Sequence, residues 1–179
     1  MQHVLARPFL VVATQNPIEL EGTYPLPFAQ MDRFMIRLRL GYLEPEEEQE
    51  MLRRRISGVP IDKLDPCCTT EDLTRMQDAA RAIRINDDLL AYIVAVVDAT
   101  RHSEALAYGA SPRAGLDLMR YSQATAMIDG REYVLPDDIK QAGSSILSHR
   151  VIIRRGTSYA SLNTEDLIQE LIDSVPVPV

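Results

Sequence analysis

One four-residue plan recurs along the chain and dictates most of what it can fold into. Thr70-Glu71-Asp72-Leu73, Asn86-Asp87-Asp88-Leu89, Pro136-Asp137-Asp138-Ile139 and Thr164-Glu165-Asp166-Leu167 each place a cap residue or a proline first, then two carboxylates, then an apolar residue. A Thr or Asn side chain accepts a bond from an orphan N–H of a helix start. Proline in the first turn forfeits no helical bond. Carboxylates there face the positive end of the macrodipole. Glu44-Pro45-Glu46-Glu47-Glu48 is a fifth version. Much of the chain's negative charge is therefore helix-start chemistry and asks for no cationic partner. The spacings are irregular, which excludes a repeat protein.

Apolar residues follow these starts at helical intervals. Leu89, Leu90, Ile93, Val94 and Val97 form one face, and Leu167, Ile168, Leu171, Ile172 and Val175 another. The pattern predicts helices over 45–57, 70–82, 87–103, 112–128, 136–148 and 164–174. Strands are predicted near 8–14, 34–40 and 150–154. The first holds Phe9, Leu10, Val11 and Val12, a continuous apolar run that suits a strand buried on both faces of a parallel sheet. The fold class is mainly α: a helical bundle over 44–179, preceded by a remnant of an α/β layer over 1–43. The tail, Val175-Pro176-Val177-Pro178-Val179, cannot continue a helix.

Composition narrows the function classes. The 179 residues carry a formal net charge of -7, which opposes sequence-independent binding of nucleic acid, where Lys and Arg supply the affinity. The basic run Arg53-Arg54-Arg55 reads as a solvated helix face. The longest apolar stretch, Leu89 to Val97, is far below the ~20 residues of a membrane-spanning helix. Cys67 and Cys68 are adjacent, so they cannot staple distant loops, and a cytoplasmic location without structural disulfides is expected. The three histidines are scattered, and no metal site is expected.

Three places carry potential chemistry. Asn16 ends the first apolar run, just before Pro17. In open α/β sheets ligands bind beyond the carboxyl ends of strands. Asn16 is then either a turn starter or an amide that orients water or touches a phosphate oxygen. Asp32-Arg33-Phe34 ends a short helix expected from Pro27, and alone it reads as a surface Asp and Arg. Ser111-Pro112-Arg113 opens a helix, with Ser as cap and Pro at the first position. Arg113 there opposes the macrodipole, and a bound anion would give it a reason.

Taken together, "ATQNP", "EGTYPLP", "AQMDRF" and "GASPRA", in this order, resemble the MoxR family of AAA+ ATPases, and "YIVAVVDATR", "DGREYVLPDDIK" and the closing "VPVP" extend the likeness over the chain. The resemblance implies that Asn16 is sensor 1, that Arg33 is the arginine finger reaching the nucleotide of a neighbouring subunit, and that Arg113 is sensor 2 on a helical lid. It implies ATP and Mg²⁺ in the full-length protein, a hexamer, a missing N-terminal AAA+ core, and von Willebrand factor A domain proteins as partners in chaperone-like remodelling. No nucleic-acid or membrane partner is implied.

Two departures stand out. Phe28 occupies a position where the family usually has Glu, beside the helix that leads to Arg33. No G-x-x-x-x-G-K-[ST] occurs, and no apolar strand ending in acidic residues precedes Phe9. The sequence reads as the C-terminal part of such an ATPase, from a truncation or a start at Met1. Without Walker A and B motifs, no hydrolysis and no bound cofactor are expected of the chain alone. The alternative is a non-catalytic helical interaction module. Residues 8–40 would lack their neighbouring strands, so this segment is expected to rearrange, to pack on the lid, or to pair with a second copy.

Overall fold

The computed structural model describes residues 3–15, 26–56, 58–59, 61, 64–154 and 163–178. Among these, the chain forms seven helices and one two-stranded sheet. The helices are α1 (Phe28–Met31), α2 (Pro45–Ile56), α3 (Thr70–Ala82), α4 (Asp87–His102), α5 (Pro112–Ile128), α6 (Pro136–Leu147) and α7 (Thr164–Ser174). Each bound of the six long helices lies within one residue of its sequence expectation.

The helix starts work as their chemistry requires, with shifts of one residue at two of them. The cap of α3 is Thr69, whose Oγ1 accepts from Asp72 N–H at 3.1 Å while Asp72 Oδ2 accepts from Thr69 N–H at 3.0 Å. The cap of α7 is Asn163. Asn86 caps α4 as expected, accepting from Leu89 N–H at 2.9 Å. Leu135 precedes Pro136 and has no capping oxygen, so Asp138 reaches back instead and accepts the Leu135 N–H at 2.8 Å.

The core lies between α4, α5, α6 and α7, with α3 packed on α5. α4 contributes Leu89, Tyr92, Ile93, Val96 and Val97. The inward face is thus turned from the one expected, since Val94 is 64% exposed and Leu90 only half-buried. An apolar run that surrounds a helix does not say which side will face in. α7 buries Leu167, Ile168 and Ile172 as expected, with Leu171 and Val175 packed at the margin. α5 and α6 form an antiparallel hairpin, so the start of α5 and the end of α6 share one end of the bundle. At Gly143 an added Cβ would lie 2.0 Å from Ile172 Cδ1, which is why α6 and α7 approach so closely there.

The strands differ from expectation. β1 (Leu106–Tyr108) pairs antiparallel with β2 (Ile152–Ile153), with Leu106 opposite Ile153 and Tyr108 opposite Ile152. β2 falls within the expected 150–154. The described residues of 8–14 and 34–40 contain no strand. Phe9, Leu10, Val11 and Val12 are each more than half exposed. A strand exists by pairing, and no described segment pairs with this one. The segment after α1 instead lies on the bundle: Arg37 N–H donates to Ser145 O at 3.0 Å, and Arg37 and Arg39 both reach Glu165 at the start of α7, at 3.3 and 2.9 Å. Of the expected outcomes for this region, packing on the helical unit describes residues 32–39.

Candidate functional site

The loop into α5 is fixed residue by residue. Gly109 passes so close to α4 that a Cβ would sit 2.6 Å from Arg101 Cα and 2.7 Å from Arg101 N. Ala110 is buried, its N–H donates to Thr100 Oγ1 at 2.9 Å, and its carbonyl accepts from Arg101 Nε at 3.0 Å. Pro112 opens the helix and Ala114 is fully buried. Arg113 differs from its neighbours. It is exposed and has no hydrogen-bond or ion-pair partner among the described residues.

Ser111 does not cap α5 with its side chain, contrary to the sequence expectation. Its hydroxyl donates instead to Asp32, 2.8 and 3.0 Å from the two carboxylate oxygens. This bond joins two of the three motifs singled out in the sequence, across 79 residues. It brings the segment carrying Arg33 to the start of the helix carrying Arg113. Like Arg113, Arg33 is exposed and unpartnered among the described residues.

Arg150, just beyond α6, anchors this junction. Its side chain is fully buried. Nη2 donates to Asp117 Oδ2 and to Phe34 O, both at 2.6 Å, and to Asp32 O at 3.1 Å. Nε lies 3.6 Å from Asp32 Oδ1. The carbonyls on either side of Arg33 are therefore held by one guanidinium, whose counter-charge Asp117 stands on α5. His149 adds a further bond, with Nε2 3.0 Å from Phe34 O. A carbonyl only accepts, so Nε2 carries the proton and Nδ1 is bare. Nδ1 is buried with no partner among the described residues. Burial holds the His149 imidazole below its ordinary pKa, and the charges of Arg150 and Arg37 act the same way against the Phe34 carbonyl.

Sequence reasoning missed Arg150, Asp117 and His149. The available signal was a His-Arg pair directly after an apolar helix end, together with a carboxylate five residues inside α5. Asn16 lies outside the described residues. No group of three or more His, Cys, Asp or Glu among the described residues is arranged to hold a metal ion. No helix among them is long and apolar enough to cross a membrane.

The family model for the AAA lid domain matches residues 98–171, and that for ATPases associated with various cellular activities matches residues 1–36. The chain is 40% identical to the uncharacterized protein YeaC of Bacillus subtilis, over 98% of this chain and 55% of that protein. It is 39% identical to the chaperone MoxR1 of Mycobacterium tuberculosis, over 96% of this chain and 47% of that protein. A crystal structure from Cytophaga hutchinsonii, provisionally designated an ATPase, superposes with a TM-score of 0.89 at 36% identity, covering 99% of this chain and 56% of that one. The chain spans about half the length of the curated relatives it matches. A lid-domain match from the end of α4 into α7, an AAA match over the segment that ends at the Asp32–Ser111 junction, and MoxR-named relatives along nearly all the chain place it in one group: it belongs to the MoxR-type AAA+ proteins.

Proposed function

We propose that this chain supplies the arginines and the helical lid of a MoxR-type ATPase that couples ATP hydrolysis to chaperone-like remodelling of protein complexes. One observation carries the reading. Arg33 and Arg113 sit at one junction, where hydrogen bonds hold Asp32, Phe34 and Ser111 and packing holds Ala114, while both guanidinium groups are exposed and without a partner among the described residues. Two unpaired cations, one in the first turn of α5 and one on the segment attached to it, suit a polyphosphate. Phosphoryl transfer depends mainly on positioning and on neutralising charge at the transferring group. In this reading Arg113 is sensor 2 and contacts the nucleotide of its own subunit. Arg33 is the finger and reaches the nucleotide of the next subunit in a hexamer, which makes turnover depend on assembly. Asn16 is sensor 1.

The division of the chain follows: 1–43 belongs to the AAA+ α/β core and 44–179 to the lid. The phosphate loop and the Mg²⁺ ligands come from an N-terminal core not contained in these residues. ATP fits the free guanidinium groups, whereas the described residues offer no Mg²⁺ cage. A cytoplasmic assembly with a von Willebrand factor A domain partner completes the proposal. The names of two relatives support the remodelling role, one a chaperone and one a subunit of aerobic cobaltochelatase.

The test is Arg33→Ala in the assembled ATPase that contains this chain. Turnover should fall by about 10³-fold or more while nucleotide affinity holds. Equal loss of both would refute the finger role. A non-catalytic interaction module is the second reading, favoured by the exposure of Phe9 to Val12 and of Leu52 and Ile56 on α2. It wins if no assembly containing the chain hydrolyses ATP.

A further inference from the structure

We propose that Arg150 is a positioning residue that welds the Arg33 segment to helix α5, so that Arg33 and Arg113 move as one body. The inference rests on the ATPase reading for its catalytic meaning, but its structural content stands separately. Among the described residues, Arg150 is the largest fully buried side chain. A guanidinium with no access to water is tolerated only where charge and hydrogen bonds compensate it. Its partners divide into two sets. Asp117 belongs to α5, while the Asp32 and Phe34 carbonyls and the Asp32 carboxylate belong to the segment that presents Arg33. Ser111 closes the ring by joining the Asp32 carboxylate to the start of α5.

The ring explains a choice at Ser111 that helix stability does not. Its hydroxyl is placed to cap α5 and binds Asp32 instead. The start of α5 goes without a side-chain cap, and the Arg33 segment gains an attachment. Any rotation of α5 that follows occupancy at Arg113 carries Asp117, Arg150 and then both carbonyls flanking Arg33. The state of one nucleotide site is thereby conveyed to the arginine offered to the next. Coupling of this kind is reciprocal.

Hydrogen exchange on the chain tests the weld. The Arg37 amide, bonded to Ser145 O, reports on the segment, and the Val134 amide, bonded to Arg84 O, reports on the far end of the bundle. Asp117→Asn keeps the shape of α5 and removes the counter-charge of Arg150. It should speed exchange at Arg37 by about tenfold and leave Val134 unchanged, as should Ser111→Ala, because each loses one charge-assisted bond of the ring. Arg150→Lys should have the larger effect, and if it fails to fold, the other two variants decide. Unchanged exchange at Arg37 in Asp117→Asn and Ser111→Ala overturns the proposal. So does equal acceleration at Val134, which marks a general loss of stability. In the assembled ATPase the same two variants should lower kcat and leave KM in place. Faster exchange at Arg37 in a protein whose parent assembly shows no turnover would refute the ATPase reading and leave the weld standing.

Discussion

Asp138→Ala should loosen the closed end of the α5–α6 hairpin, opposite the Arg33–Arg113 junction. The Asp138 side chain is 6% exposed and accepts three bonds: from Arg131 Nη1 at 2.8 Å, from Arg131 Nη2 at 2.7 Å and from Leu135 N–H at 2.8 Å. Removing one partner of a buried ion pair costs about 3–5 kcal/mol, because the other charge is left uncompensated. Arg131 is 21% exposed and regains some water, and it keeps Asp129 at 2.9 Å, so the cost falls somewhat below that range, at about 2–3 kcal/mol. For a domain of this size that is a fall in Tm of roughly 5–10 °C. Thermal unfolding followed by circular dichroism would measure it. Asp129→Ala is the control, since Asp129 meets the same guanidinium from an exposed position, where ion pairs contribute little. Equal effects of the two substitutions, or a fall under about 2 °C for Asp138→Ala, would refute the argument that burial decides the value of this pair. Acid gives a second check. Burial pushes the Asp138 carboxyl up, but Arg131 and the Leu135 N–H outweigh it and hold it below its ordinary value. Its contribution is full above the ordinary aspartate range and is lost as pH falls through the depressed value. The low-pH stability slope should therefore flatten in Asp138→Ala.

Three further outcomes are expected. His149 is held below its ordinary pKa, so the unfolded or undocked form binds the proton more readily. Attachment of residues 32–37 is then complete above about pH 6.5 and weakens as pH falls through that ordinary value, and His149→Gln should remove this dependence from the exchange of the Arg37 amide. Gly109→Ala forces a Cβ against the backbone of Arg101, so it should cost about 1–3 kcal/mol in urea unfolding. A cost below about 0.5 kcal/mol would mean the loop shifts freely. Calorimetry of the chain alone should show no micromolar affinity for ATP, and a Kd in that range would mean the phosphate-holding groups are already present in it.

The helices were legible because the information for them is local. A cap, two carboxylates and an apolar period lie within one stretch of chain, and the structure moved the ends by a single residue. The inward face of α4 was less legible. Leu89 to Val97 is apolar on several sides, and the choice of Tyr92 and Val96 over Leu90 and Val94 is made by α5 and α7. The run Phe9 to Val12 showed the opposite failure. Its composition is that of a buried strand, but pairing is a property of two segments, and no described segment provides the second. At the candidate site, Arg33 and Arg113 were visible as residues out of place for their local structure. Their meeting was not, because it depends on Asp32, Ser111, Asp117 and Arg150, which lie up to 118 residues apart.

The physical logic of the junction is that one arginine is hidden so that two others can be aimed. A flexible guanidinium on a free loop loses side-chain and backbone entropy whenever it engages a phosphate, and that loss weakens its effect on the reaction. Holding the carbonyls on both sides of Arg33 removes the backbone part before any ligand arrives. The holding group must itself be rigid, hence buried, hence neutralised, and Asp117 with Asp32 supplies the charge. Both carboxylates lie at the α5 end of the bundle, so the requirement for charge balance at Arg150 also fixes which helix the segment is attached to. A neutral clamp of carbonyl acceptors would hold the segment without choosing α5. The counter-charge on α5 makes the attachment specific to the helix that begins with Pro112 and Arg113, which is why Asp117→Asn, more than any change at the exposed arginines, separates positioning from simple attraction of an anion.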